Sequence, residues 1–406
     1  MSSSMNPLPI IIEGWRFLPH SYAIANQFQL LEMLNRKHLQ IYHQDMPYIS
    51  KNWQPVTGLF PPDAEIALRN IPKPSPQKTA DATLRIYAPF NLSFSTSKRT
   101  AVFACTEWGI VSKSIVNGMG VKSFAEAHAQ GDAIIITPSH WSKDGFIRSG
   151  AQESRVAVVP LGVNPDIYHP LPTSQRTILR QKLGINNYFV FLNIGVMCNS
   201  SQGVGRLLKA FAIIVERYPD TKLILKGRDA IFPSKDSILK ASKVALTNTQ
   251  IEKVKSRIIY VGETLSFSQL AQLYQVADAY VSPYLAEGFN LPVLEATACG
   301  LPVICTKGGP TDDFTNSDFA LKIDSKLQTN YTRDGDTLWC VVPEQEHLIE
   351  LMQTVIEKSL LLDHARQTGP KWVLQHFTWK QVVDRLLDVL IPSVKFGRPT
   401  FEPIIL

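Results

Sequence analysis

The stretch AYVSPYLAEGFNLPVLEATACGLPVICTKGGP, residues 279–310, decides the fold. Two short apolar runs in it, 279–284 and 301–306, have the composition of buried strands. Between them, Pro292 is suited to the first turn of a helix, where its missing N–H costs nothing, and Gly300 to the end of that helix. The sequence therefore predicts a strand–helix–strand unit, and open α/β sheets bind ligands beyond the carboxyl ends of such strands.

Two glutamates lie in this unit where a ligand would be reached. Glu287 precedes the predicted helix, and Glu295 lies about one turn inside it. Carboxylates offer paired acceptors to the adjacent hydroxyls of a ribose or hexose. The N–H groups of Phe289, Asn290 and Leu291, with Asn290 as N-cap, would hold a phosphate. For two glutamates alone, a helix-dipole partner and a solvated loop charge would be the better interpretation; the joint pattern with the glycines and prolines favours a binding site.

Nine further apolar runs alternate with helical patterns along the chain. Runs rich in Val, Ile and Leu, separated by helices, are typical of parallel sheets covered on both faces. The runs are 9–15, 39–44, 82–88, 99–105, 133–137, 155–162, 188–195, 221–227 and 257–262. Because the alternation occurs twice, we predict an α/β protein with two doubly wound domains. Prolines interrupt the pattern at 164–175, so we place the domains at 1–168 and 169–374.

Composition restricts the kinds of partner and site. Of the 406 residues, 45% are hydrophobic and 19% charged, which is a globular balance. The net charge of +6 is divided evenly between residues 1–170 and residues 171–406, unlike a dedicated nucleic-acid surface. Five scattered cysteines without CxxC spacing argue against a disulfide framework or a zinc site. With no evident signal peptide or membrane span, we expect a cytoplasmic protein.

The residues of the first stretch carry a family resemblance. The segment 287–309 resembles the nucleotide-sugar signature of retaining GT-B glycosyltransferases of family 4. The likeness extends to 137–170, 191–227 and 270–284. It implies two Rossmann-like domains that face each other across a cleft, with the C-terminal segment 375–406 crossing back to the first domain.

The resemblance also implies a reaction and a set of contacts. Glu287 would contact hydroxyls of the transferred sugar, and Glu295 the ribose of the nucleotide. Amides of Phe289, Asn290 and Leu291 would contact the sugar and the diphosphate. The implied reaction moves a hexose from a UDP- or GDP-sugar to a hydroxyl of an acceptor glycan or glycoconjugate. It retains the anomeric configuration and needs no metal or other cofactor. No nucleic acid is implied, and membrane association would be at most peripheral.

The phosphate site departs from the family pattern. Family members usually carry an arginine and a lysine where this chain has Val196 and Gln202. We expect Lys226 and Arg228, at the end of a neighbouring predicted strand, to supply the missing positive charge, because a departing diphosphate needs a cation. Lys226 would assist the departure of the diphosphate, and Arg228 would contact the bound donor. Lys226 could instead be an ordinary exposed strand end. The resemblance places Gly262 where the nucleotide base is bracketed.

The first domain offers weaker candidates. By the resemblance, Glu107 lies roughly where family members often have a histidine close to the transferred sugar, so it is a possible polar contact or base. Arg16, His20 and Ser21 are expected to face the cleft, with Ser21 as the N-cap of the first helix. Ser139 follows a predicted central strand and is a further cleft candidate. His20 is equally well interpreted as a satisfied loop histidine.

Two other classes of function stay open at this point. A non-catalytic sugar- or nucleotide-binding protein is suggested by the missing cationic pair. A nicotinamide-dependent oxidoreductase would need G-x-G-x-x-G directly after a strand. Gly203 and Gly205 form only a fragment of that motif.

Overall fold

The first domain is built on a parallel sheet with the strand order β2-β1-β3-β4-β5-β6. The computed structural model describes residues 7–333 and 335–392. The strands of this sheet are β1 Leu8–Gly14, β2 Leu39–Asp45, β3 Ala82–Ile86, β4 Thr100–Phe103, β5 Ile134–Thr137 and β6 Val156–Val158. The helices are α1 Ser21–Leu34, α2 Pro62–Arg69, α3 Lys113–Met119, α4 Phe124–Gln130 and α5 His140–Arg148.

The second domain repeats this design with the strand order β12-β11-β10-β7-β8-β9. Its strands are β7 Phe189–Ile194, β8 Thr221–Lys226, β9 Ile258–Val261, β10 Ala279–Ser282, β11 Val303–Thr306 and β12 Ala320–Ile323. The helices before the last strand are α6 Thr173–Lys182, α7 Asn199–Gln202, α8 Val204–Arg217, α9 Ser234–Ala245, α10 Asn248–Lys255, α11 Phe267–Val276 and α12 Leu291–Ala298. The order is that of a doubly wound dinucleotide-binding sheet.

A β-hairpin and three helices follow the second sheet. The hairpin strands are β13 Ser325–Arg333 and β14 Asp336–Pro343, which pair antiparallel. The helices are α13 Gln345–Glu357, α14 Ser359–His376 and α15 Trp379–Leu390. Thr378 caps α15, as its side chain accepts from the N–H of Gln381.

The predicted fold class is confirmed. Each of the eleven predicted apolar runs overlaps a strand, and both sheets are parallel. The sequence analysis did not foresee β12 or the hairpin. Of the segment predicted to cross back to the first domain, residues 393–406 lie outside the described residues, as do residues 1–6 of the first domain.

An aromatic cluster joins the two domains behind the cleft. The ring of Trp379 stacks on Phe28 of α1, with 5.4 Å between ring centroids and 5° between planes. Phe267 of α11 packs against both Phe28 and Phe60, at 5.0 and 4.7 Å. Rings from both domains and from α15 thus form one apolar contact, which fixes how the two sheets face each other.

Replacing Trp379 by alanine should destabilise the protein by roughly 3–5 kcal/mol, because it leaves a cavity where a ring that is 5% exposed now packs on Phe28. Urea unfolding followed by far-UV circular dichroism measures the loss. Leu374→Ala is the matched control, since Leu374 lies on the preceding helix and is 49% exposed. Its effect should stay within about 0.5 kcal/mol. Equal effects of the two substitutions would contradict the packing described here.

Candidate active site

The predicted site lies at the topological switch point of the second sheet. There β7 and β10 are neighbours, while the strands that follow each of them lie to opposite sides. The loops after these two strands meet beyond their carboxyl ends. The N–H groups of Leu285 and Ala286 donate to the carbonyl of Ser201 at 2.6 and 3.1 Å. Open α/β sheets form their ligand crevice at such a point.

Gln202 holds Glu287 in this crevice. Its Nε2 atom donates to Oε1 of Glu287 at 3.3 Å, and its Oε1 atom accepts from the N–H of Met197 at 2.8 Å. A Cβ on Gly195 would lie 2.5 Å from Nε2 of Gln202, so any larger residue there would displace the amide of Gln202 from this position. A neutral hydrogen-bond donor therefore stands where the resemblance expects a lysine.

A second carboxyl, from the other domain, lies beside Glu287. Glu107 follows β4, and its Cγ is 3.8 Å from the place where a Cβ on Gly288 would stand. Burial raises the pKa of Glu287 to about 8, and the negative charge of Glu107 contributes to this rise. At neutral pH the Glu287 carboxyl therefore keeps its proton, although its ordinary pKa is 4.5.

Glu295 is buried deeper, at 5% exposure. The hydroxyl of Tyr274 donates to its Oε2 atom at 2.6 Å. Burial raises the pKa of Glu295 to about 7, while the hydrogen bond from Tyr274 and the positive charge of Arg228 act in the opposite direction. Arg228 also acts on Glu287. The structure thus brings both glutamates to the same side of the sheet, within reach of one cation.

Arg228 bridges the two domains next to these carboxyls. Its Nη1 atom donates to the carbonyl of Pro19, in the loop after β1, at 3.2 Å. Burial, together with the charge of Arg228, lowers the pKa of His20 to about 3. His20 is therefore neutral at physiological pH, and Arg228 is the cation that the two glutamates share.

Lys226 and Gly262 lie at the same edge, where Lys226 is buried and Gly262 is half-buried. Lys226 is 5% exposed, and its Nζ atom donates to the carbonyl of Gly227. Burial and the neighbouring charge of Arg228 lower the pKa of Lys226 to about 8. Gly262 packs against Asp229, whose Oδ2 atom would lie 2.1 Å from a Cβ at that position.

The start of α12 differs from the expectation in one respect. Asn290 has a left-handed conformation with φ 73°, and its Nδ2 atom donates to Oγ of Ser282 at 2.9 Å. The prediction that its side chain caps the helix is wrong, because this backbone conformation directs the amide toward β10. Phe289 stacks on Phe314 at 4.6 Å, and Leu291 is the first residue of the helix.

Two expectations for the loop after β1 are also wrong. Arg16 is buried and binds the carboxylate of Asp45 at 2.8 and 2.6 Å, so this ion pair holds it inside the first domain. The N-cap of α1 is His20 rather than Ser21, since Nδ1 of His20 accepts from the N–H of Tyr22 at 3.2 Å. His20 therefore has a structural partner at the edge of the cleft.

On the opposite edge, α5 of the first domain contacts the second domain directly. Ser139 donates through Oγ to the carbonyl of Gly288 at 2.6 Å. The N–H of His140 donates to Oδ2 of Asp313 at 2.7 Å. His140 is the first residue of α5, so the positive end of the helix dipole also attracts this carboxylate. These contacts seat the loop that carries Glu287 on the first domain.

Sequence reasoning missed Gln202 as a member of the site and the β13–β14 hairpin beside it. The hairpin did have a signal, because the Asp-Gly dipeptide at 334–335 lies between runs that alternate in polarity. Gln202 was noted only as a position where the resemblance expects a cation, and its contact with Glu287 had no signal, since it depends on residues that meet only in the folded chain.

Comparison with known proteins supports the fold. Residues 188–324 match the family model for glycosyl transferases group 1. Sucrose synthase of Melioribacter roseus is 26% identical over 258 residues, which cover 57% of this chain and 31% of that protein. A D-inositol 3-phosphate glycosyltransferase of Corynebacterium aurimucosum is 22% identical over 272 residues, 66% of this chain and 58% of that protein. The chain thus spans less than two thirds of either relative.

Solved structures match over nearly the whole chain. Anabaena HepE, solved in complex with UDP-glucose, superposes with a TM-score of 0.67 at 15% identity and covers 95% of this chain and 100% of HepE. Sucrose-phosphate synthase from Thermosynechococcus elongatus gives 0.64 at 14% identity, with 95% and 100% coverage. The chain therefore has the GT-B fold, and the matched family region contains Glu287, Glu295 and Arg228. Within the described ranges, no helix is long and apolar enough to cross a membrane.

Replacing Glu295 by glutamine should stabilise the ligand-free protein at pH 8 but not at pH 4. The pKa of Glu295 in the folded protein, about 7, lies above its ordinary value of 4.5. As the pH rises between these values, the unfolded chain releases its proton first, so the wild type loses stability. Glutamine stays neutral and still accepts from Tyr274. We expect a gain of roughly 1–3 kcal/mol at pH 8 in urea unfolding.

The matched control is Glu216→Gln, because Glu216 is an exposed partner of Lys253. This substitution should not produce a gain that grows with pH. If Glu295→Gln stabilised the protein equally at both pH values, its carboxyl would not have the raised pKa.

Proposed function

We propose that the protein is a glycosyltransferase that transfers a hexose from a UDP- or GDP-sugar to a hydroxyl of an acceptor glycan or glycoconjugate. The observation that carries the proposal is the placement of Glu287 and Glu295 on one side of the second sheet, next to Arg228, at its topological switch point. The family match over residues 188–324 and the likeness to HepE, solved with UDP-glucose, support it. We assign the chain to the retaining enzymes of family 4.

In this proposal, the second domain binds the donor. Glu287 contacts hydroxyls of the sugar, and its protonated carboxyl both donates and accepts hydrogen bonds at neutral pH. Glu295 contacts the ribose, with one of its oxygens already oriented by Tyr274. The amides of Phe289, Asn290 and Leu291 contact the diphosphate at the N-terminus of α12. Gly262 lies beside the base.

Arg228 is the main cation for the diphosphate in this proposal. It lies near both glutamates, and its guanidinium can bind phosphate oxygens in a bidentate manner. Lys226 is a secondary cation, because its ammonium group already donates to the carbonyl of Gly227. Together they replace the cationic pair whose positions hold Val196 and Gln202, so the reaction needs no metal.

The proposed chemistry is a front-face displacement. The acceptor hydroxyl attacks the anomeric carbon as the bond from that carbon to the diphosphate oxygen breaks, and the hydroxyl proton passes to the departing phosphate. Fixed positive charge at Arg228 and the amides stabilises the developing negative charge. Glu107, in the first domain, contacts the sugar on the side from which the acceptor approaches. Closure of the cleft excludes water, which would otherwise hydrolyse the donor.

The first test screens UDP, GDP and their sugars for an increase in melting temperature, and then measures transfer and donor hydrolysis. Arg228→Ala should lower the turnover number by roughly 100-fold or more, as expected for loss of a charge that stabilises the leaving group. Lys253→Ala, at an exposed ion pair, is the control and should retain wild-type turnover. Binding without turnover, unchanged by Glu287→Gln, would instead indicate a non-catalytic sugar-nucleotide-binding protein.

Donor binding should weaken as the pH rises through about 8. Glu287, with a pKa of about 8, gains a negative charge, and Lys226, with a pKa of about 8, loses a positive one. Both changes disfavour an anionic diphosphate. Calorimetric titration with UDP-glucose or GDP-glucose from pH 6 to 9.5 measures this dependence. Glu287→Gln and Lys226→Arg should each remove part of it, because neither new side chain titrates in this range. A pH dependence unchanged in both variants would contradict the assignment.

A further inference from the structure

The turn 107–109 is held by three donors from two different elements. Each of its consecutive backbone carbonyls accepts one hydrogen bond. The donors, in order, are Nε1 of Trp141 at 3.0 Å, the N–H of Trp339 at 3.0 Å and Nε of Arg148 at 2.9 Å. Two of these donors belong to α5 of the first domain, whereas Trp339 belongs to the β13–β14 hairpin of the second. The position of the turn therefore depends on both domains.

Aromatic contacts strengthen the attachment of the hairpin to the turn 107–109. The guanidinium of Arg148 lies 4.1 Å from the ring centroid of Trp339, which is a cation–π contact. Tyr331, on the other hairpin strand, stacks on Trp108 at 5.2 Å. A Cβ on Gly109 would lie 2.7 Å from the Cβ of Trp339, so the turn needs a glycine to accommodate the hairpin.

The hairpin is anchored at both of its ends. Near the tip, Oδ2 of Asp336 accepts from the N–H of Lys113 at 2.9 Å, and the Lys113 ammonium donates to the carbonyl of Gly335 at 2.6 Å. Near the base, the N–H of Val341 donates to the carbonyl of Leu285 at 2.9 Å, two residues before Glu287 in the sequence. One element thus touches the loops that carry both carboxyls.

We propose that Trp339 is a positioning residue: through the turn 107–109, the hairpin holds Glu107 beside Glu287 when the cleft is closed. The inference rests on the proposed function for its catalytic consequence, but its geometric part stands without it. Glu107 and Glu287 come from different domains and repel each other above the Glu287 pKa of about 8, where both are ionised, so their approach then needs an opposing attraction. The hairpin contacts supply that attraction at the turn itself, and they couple closure of the cleft to assembly of the carboxyl pair.

The kinetic test compares Trp339→Ala with Trp339→Phe in the full chain. Trp339→Ala should lower the turnover number by about 10- to 100-fold, the cost of a displaced catalytic group, with little change in the KM of the donor. Trp339→Phe keeps a ring for Arg148 and should restore most of the activity. In a Glu107→Gln background, Trp339→Ala should cost less than about threefold, because the group that it positions is already lost. Independent, multiplying effects of the two substitutions would overturn the proposal.

A second measurement needs no activity and therefore separates this proposal from the proposed function. The difference in melting temperature between the ligand-free protein and its Glu287→Gln variant, followed from pH 5 to 9.5, reports the pKa of Glu287. With Trp339→Ala in both proteins, this profile should shift to lower pH, because Glu107 no longer lies beside Glu287. Leu327→Ala, on an exposed hairpin position, is the control and should leave the profile unchanged.

Each outcome bears on one proposal. An unshifted profile in Trp339→Ala overturns the positioning role, whatever the activity. A shifted profile in a protein that turns over none of the nucleotide sugars supports the positioning of Glu107 and contradicts the proposed function instead.

Discussion

The structure depends on keeping two poorly solvated carboxyls and one guanidinium together in a crevice between two domains. A charge removed from water is costly unless a partner of opposite sign or a proton compensates it. Arg228 supplies the positive charge. Because the pKa values of Glu287 and Glu295 are raised, these carboxyls also bind protons more readily than ordinary glutamates do. Because the carbonyl of Pro19 in the other domain accepts from Arg228, the same group that balances the carboxyls also joins the domains.

The fold meets this requirement by bracing the cleft at both edges. At one edge, Nε1 of Trp53 donates to the carbonyl of Ile231 at 3.1 Å, next to the loop that carries Arg228. At the other edge, Ser139 binds the carbonyl of Gly288, and the hairpin holds the turn before α3. Loops at the carboxyl ends of parallel strands need such external support, since no ladder of hydrogen bonds fixes them. The braces therefore lie where the sheets themselves provide no rigidity.

The sequence predicted the features that depend on the local pattern of residues. It did not predict contacts between residues that are distant in sequence and become neighbours only in the folded chain. Apolar runs and the glycine–proline punctuation of 279–310 were enough to predict both sheets apart from β12. Asn290 was assigned as a cap from its position, but its left-handed backbone turns the side chain to Ser282, which no pattern along the chain reveals. The sequence analysis took Lys226 as the cation that assists the leaving group and Arg228 as a further contact to the donor. The three-dimensional structure separates them differently, because Lys226 donates back to the adjacent Gly227 while Arg228 reaches across the cleft.

Two differences of the site from the family pattern change the charge of the crevice in the same direction. Where the resemblance expects a lysine, Gln202 donates a neutral hydrogen bond to Glu287, and where it expects a histidine, Glu107 adds a carboxyl. Both replacements make the crevice less positive, which would disfavour an anionic donor. The raised pKa of Glu287 offsets this, because a protonated carboxyl adds no negative charge and still binds hydroxyls. In the proposed function, a proton on Glu287 thus takes over part of the role that a fixed cation has in the pattern that this chain resembles, and Arg228 is the cation proposed to bind the diphosphate.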